Sequence, residues 1–100
     1  MNDGGGPDTQ RLDKWLWCAR FLRTREAASR FCVDGRVRIA GRVIDRAHAV
    51  IRPGDVLTFA LGPRIRIVRV KALPRRRGAA PEARALYDDL SPTLPVEESR

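Results

Sequence analysis

The sequence is short of almost everything that reactive chemistry draws on. Its 100 residues include two cysteines and one histidine. Cys18 and Cys32 lie far apart with no CxxC pair, and His48 is the only imidazole that could join them. That donor set is too small for a zinc site, and the thiols read as reduced and buried. No GxSxG surrounds Ser29, and no P-loop or GxGxxG is present. Neither a catalytic set nor a cofactor site is therefore expected. Apolar runs are only a few residues long, which excludes a membrane-spanning helix. The first ten residues, with Gly4, Gly5, Gly6 and Pro7, lack the basic start and apolar stretch of a signal peptide. These absences lead to the expectation of a cytoplasmic, non-enzymatic protein.

Acid is also scarce where the base is concentrated. Residues 11–77 carry 18 basic and 5 acidic side chains, a net of +13, within a chain whose total is +8. Residues 78–100 reverse the sign, with two basic and five acidic side chains. Lys14 and Lys71 are the only lysines; every other base is arginine, whose planar fork grips phosphate and stacks on bases. A segment of this kind points to a polyanion, because its cations displace the counterions condensed on phosphates.

Hydrophobic spacing supplies the elements. Leu12, Trp15, Leu16 and Ala19 fall at i, i+3, i+4 and i+7, predicting a helix from Arg11 with Asp13 in its first turn. Thr24 has the character of an N-cap for a second helix whose apolar side is Ala27, Ala28, Phe31 and Cys32 and whose stop is Gly35. The link is short, so the two should pack as a hairpin. The period then changes to two: Val37 and Ile39 on one side, Arg36 and Arg38 on the other. Ala40-Gly41 reads as a two-residue turn back through Val43, although alanine suits its first position poorly. Pro53-Gly54 is another turn, Val56 to Leu61 a strand, Gly62-Pro63 a turn, and Arg64 to Leu73 a longer strand. In that last strand Ile65 and Ile67 are out of phase with Val68 and Val70, which predicts a bulge near Ile67-Val68. After Arg75, Arg76, Arg77 and Gly78, a helix from Pro81 is expected, because Ala83, Leu86, Tyr87 and Leu90 repeat the helical spacing. The fold class is α+β: a helical hairpin on a small, mostly antiparallel sheet, with a short C-terminal helix. The expected divisions are a disordered tail over 1–10, the domain over 11–73, a basic linker and helix over 74–90, and a disordered acidic tail over 91–100.

The cations that this pattern leaves outside define the candidate site. The first helix offers Arg11, Lys14 and Arg20; the link offers Arg23; the second helix offers Arg25 and, one turn on, Ser29. The hairpin adds Arg36, Arg38 and Arg42. The N-terminus of the second helix, with Thr24 beside it, is a seat for a phosphate. Trp15 is assigned to the core. Trp17, off the stripe, is expected under Leu86, Tyr87 and Leu90 of the last helix. Asp13, between Arg11 and Lys14, is expected to orient cations or cap the helix.

Arg11-Leu12-Asp13, Leu16, Arg23-Thr24-Arg25, Ala28, Gly35, Val37, Gly41 and Gly54-Asp55 together resemble the S-four RNA-binding domain, the αL motif of ribosomal small-subunit protein four. The resemblance covers about residues 11–60. It implies an RNA-facing surface made by the second helix, its N-terminal loop and the hairpin. Position by position it implicates Arg11, Arg23, Thr24, Arg25, Arg36 and Arg38. Ala40 departs from the asparagine common before that glycine. Residues 11–17, Ala19-Arg20-Phe21, Thr24-Arg25 and the later Arg75-Arg76 to Leu86-Tyr87 further resemble the heat-shock-protein-fifteen family. That resemblance implies binding of structured ribosomal RNA on the large ribosomal subunit, particularly free subunits blocked by a nascent chain on tRNA, in ribosome rescue or recycling, with tRNA as a possible further contact. The acidic end of the chain departs from the basic extension common in that family. The rival reading is an RNA-binding adaptor of a separate RNA-modifying enzyme or protein partner. No membrane partner and a monomer are expected.

Overall fold

The computed structural model describes residues 8–92. The elements, in chain order, are β1 (Gln10–Arg11), α1 (Leu12–Cys18), α2 (Arg25–Val33), β2 (Val37–Ile39), β3 (Arg42–Ile44), β4 (Val50–Ile51), β5 (Val56–Leu61), β6 (Arg64–Val70), α3 (Ala80–Arg84) and β7 (Tyr87–Asp89). Five strands form one antiparallel sheet in the order β3-β2-β5-β6-β7, and β1 pairs separately with β4. Helices α1 and α2 pack on each other. The α+β architecture agrees with the expectation from the sequence.

The helices end where backbone chemistry ends them. The Thr24 hydroxyl accepts the Ala27 N–H at 2.9 Å, satisfying one of the orphan donors at the start of α2. Gly35, at φ +74°, stops α2 in the left-handed region. Helix α1 has no glycine to do this, so Arg20 takes the same region, at φ +67°. In the β2–β3 turn both Ala40 and Gly41 have positive φ, the geometry of a two-residue hairpin loop matched to strand twist.

One apolar layer joins helices and sheet. Leu12, Trp15 and Leu16 of α1, Ala28 and Cys32 of α2, and Val37, Leu57, Phe59, Val68 and Val70 of the sheet are buried together. Phe21 lies between Phe59 (5.0 Å between ring centroids) and Tyr87 (4.9 Å). Trp15 is fully buried, and its indole N–H donates to the Ala72 carbonyl at 2.9 Å, so the largest core side chain also anchors the chain leaving β6.

Four expectations are corrected. There is no bulge at Ile67-Val68: β5 and β6 pair without interruption from Val56↔Arg69 to Leu61↔Arg64. Val68 and Val70 face the core, while Ile65, half exposed, faces out with Ile67. The phase conflict is resolved by leaving isoleucine on the open side of the sheet. The C-terminal helix spans only Ala80–Arg84, and Tyr87–Asp89 form β7 instead. The free edge of β6 needs backbone partners, and this requirement outweighs a helical spacing of four apolar residues. Trp17 is accordingly not under a last helix; the Arg77 guanidinium lies 5.6 Å from its ring centroid and donates from Nε to its carbonyl. The fold also begins earlier and ends later than expected. Gln10 is buried and donates to the Pro74 carbonyl, and the Ser91 hydroxyl accepts from Ile67 N–H. The remainder of the two expected tails, 1–7 and 93–100, lies outside the described residues.

Candidate nucleic-acid interface

The site is organised by one buried acid. Asp13 is 2% exposed. Its carboxylate accepts Arg11 Nε at 3.0 Å and Nη2 at 2.9 Å, a two-pronged grip. It also accepts Arg25 Nη2 at 3.4 Å and the Lys14 backbone N–H at 2.7 Å. One carboxylate thus joins the first turn of α1 to the first turn of α2. Both arginine side chains remain about a third exposed (32% for Arg11 and 37% for Arg25), so each is anchored on Asp13 while still reaching solvent. Asp13 orients cations, as expected, and folding adds Arg25 to those it holds. Arg25 Nε is buried without a hydrogen-bond partner among the described residues. Cys32, directly behind the cluster, is pushed up to about 12 by burial first and the Asp13 charge second, with Arg11 opposing. It is an inert core thiol rather than a nucleophile.

Around this clamp the sequence-predicted residues divide into groups. Arg23 is exposed in the loop before Thr24, and Ser29 stands one turn beyond Arg25. Lys14 is half buried. Of the sequence-predicted residues the structure joins Arg11 and Arg25, through Asp13, with Thr24 capping the helix that Arg25 begins. Arg36 lies 4.8 Å from the Phe31 ring centroid and, with Thr24 and Arg30, lines a groove of about 360 Å³ along α2. Glu26 and Asp34 line the same groove, so its charge is mixed. The hairpin splits the remaining pair. Arg38 is opposite Val43, whereas Arg42 is opposite Ile39, so the two project from opposite faces of the ribbon. Arg38 donates to the Gly41 carbonyl at 3.3 Å, bracing the turn.

Arg20 belongs elsewhere. Its guanidinium donates to the Gly78 carbonyl at 2.9 Å, turning it toward the C-terminal part of the chain. The pattern of apolar spacing could place Arg20 outside the core but could not say which side the left-handed residue would send it. Arg30 was missed because its spacing marks it as a solvent residue; in the folded chain it lines the α2 groove with Arg36. Among the described residues no group of three or more His, Cys, Asp or Glu could hold a metal ion, and no helix is long and apolar enough to cross a membrane.

Comparison with known proteins agrees with this geometry. The S4 domain model matches residues 10–57, which contain the clamp, α2 and the hairpin. Heat shock protein 15 of Escherichia coli is 35% identical over 88 residues, covering 88% of this chain; the chain spans 65% of that relative's length. The RQC P-site tRNA stabilizing factor of Halalkalibacterium halodurans is 33% identical over 81 residues, covering 78% of this chain and 86% of the relative. A solved structure of heat shock protein 15 from Vibrio cholerae superposes with a TM-score of 0.76 at 32% identity, covering 82% of each chain. That structure is described as trimeric, so the expectation of a monomer finds no support there. The chain belongs to the family of S4-domain proteins that includes heat shock protein 15 and the RQC P-site tRNA stabilizing factors.

Proposed function

We propose that this protein is a non-catalytic, cytoplasmic RNA-binding protein that acts on the ribosome. The observation that carries the reading is the Asp13 clamp. A buried carboxylate fixes Arg11 and Arg25 beside the N-terminus of α2, where Thr24 caps the helix and the helix dipole adds positive potential. Such an array holds phosphates in a set arrangement and reads the shape of RNA more than its sequence. Arg11, Lys14, Arg23, Thr24, Arg25 and Ser29 form the centre of the contact, with Arg36 and Arg38 at its margin; Arg42, on the other face of the hairpin, lies off it. The kinship with a P-site tRNA stabilizing factor supports the finer reading that the target is ribosomal RNA of the large subunit beside a bound tRNA.

Co-sedimentation with purified ribosomal subunits tests this. The parent is compared with an Arg23→Glu, Arg38→Glu double variant, which leaves the Asp13 clamp intact. The parent is expected to pellet with the large subunit at low salt, and the folded variant to stay in the supernatant. Each phosphate-contacting arginine removed should lower the salt slope by about one. A parent that binds no subunit overturns the ribosomal assignment.

A further inference from the structure

A second arginine-lined site straddles the boundary of the region matched by the S4 model: Ala19, Arg20 and Phe21 lie within it, and Arg66, Ala80, Ala83, Arg84 and Tyr87 lie beyond it. The end of α1, α3, β6 and β7 enclose a groove of about 340 Å³ lined by Arg20, Arg66 and Arg84 and by Phe21 and Tyr87. Its size falls at the lower end of small-ligand pockets. No acid lines it, although Arg66 reaches the neighbouring Asp89 at 3.1 Å. That pairing leaves Arg20 and Arg84 as its free positive charge. Arg84 is exposed at the end of α3. Arg20 is held in place twice over, by a left-handed backbone at φ +67° and by its bond to Gly78. A non-glycine residue in that region is the kind of strain that persists where the surroundings impose it. Tyr87 is half buried against Phe21 and Trp15, so the ring lining the groove is rigidly backed.

We propose that this groove binds one nucleotide of single-stranded RNA, its phosphate on Arg20 and Arg84 and its base against Tyr87. Two guanidinium groups beside an aromatic wall are the elements of sequence-tolerant single-strand binding. The site rests on the RNA-binding reading and adds a contact that the α2 face does not supply. It would let a single-stranded RNA segment run from one end of α1 to the other.

The test is an amide NMR titration of the full chain with a short oligouridylate. The parent, the Arg23→Glu, Arg38→Glu variant and an Arg84→Glu variant are compared, with an inorganic phosphate titration of the parent as reference. Shifts at Arg20, Ala83, Arg84 and Tyr87 are expected in the parent and in the α2-face variant. Arg84→Glu, with an otherwise superimposable spectrum, should weaken them about tenfold. If Arg84→Glu perturbs the fold, Arg84→Ala serves for the same comparison. Shifts confined to α2 and the β2–β3 hairpin would overturn the groove and leave the proposed function standing. Equal shifts from inorganic phosphate at the same concentration would overturn nucleotide recognition. No response to RNA at any residue, with ribosome binding intact, would overturn the groove alone.

Discussion

Replacing Asp13 by asparagine separates two explanations of the basic face. If only charge matters, removing the negative group that Arg11 and Arg25 share must strengthen binding to RNA. If positioning matters, it must weaken binding, because the two guanidinium groups lose the acceptor that fixes them. The stability change follows from the same contacts. Removing one partner of a fully buried ion pair costs about 3–5 kcal/mol. Here the carboxylate is buried, but Arg11 and Arg25 are 32% and 37% exposed and regain water once released. Asparagine also keeps an acceptor for the Lys14 N–H. A loss of about 2 kcal/mol is expected, which lowers Tm by roughly 8–16 °C in a domain of this size. Urea denaturation followed by tryptophan fluorescence measures the first quantity, and RNA affinity at fixed salt measures the second. A variant within about 0.5 kcal/mol of the parent, the range of an ordinary surface change, or one that binds RNA more tightly, would refute the reasoning.

Two further expectations concern the core and the hairpin. Cys32 has an ordinary value of 9.0 that burial pushes up to about 12, so between these values the folded state keeps a proton that the unfolded chain loses. Stability therefore falls as pH rises through that window, by up to about 1.4 kcal/mol per unit. The stability difference between the parent and Cys32→Ala, measured by urea denaturation, should shift against the parent by about 1.4 kcal/mol at about pH 10; a difference that is flat with pH would contradict this. Ala40 is exposed at φ +52° immediately before Gly41. Ala40→Asn, which tolerates that region, should raise stability by about 1 kcal/mol and Tm by roughly 4–8 °C; calorimetry showing no gain would mean the turn holds no such strain.

The sequence alone determined the parts governed by short-range rules. The α1 stripe, the α2 stripe at Ala28, Phe31 and Cys32, the Thr24 cap, the Gly35 stop, the alternation of Val37, Arg38 and Ile39, and the concentration of base in residues 11–77 are local properties, and each is present in the folded chain; Ala27, counted on the α2 stripe, is exposed instead. They place cations outside a helical hairpin, and the order of elements makes the fold class α+β. Tertiary structure decided everything that depends on which distant groups meet. Asp13 became the clamp because folding brings Arg25, twelve positions away, against the first turn of α1. Tyr87–Asp89 became a strand because the open edge of β6 demanded hydrogen bonds that a longer helix could not give. Arg20 left the predicted cluster because a left-handed residue turned it toward Gly78, and Arg38 and Arg42 parted because strand pairing puts alternate residues on opposite faces. Periodicity reports whether a side chain is inside or outside; it carries no information about which outside surface it joins, because that is set by contacts between segments far apart in the chain.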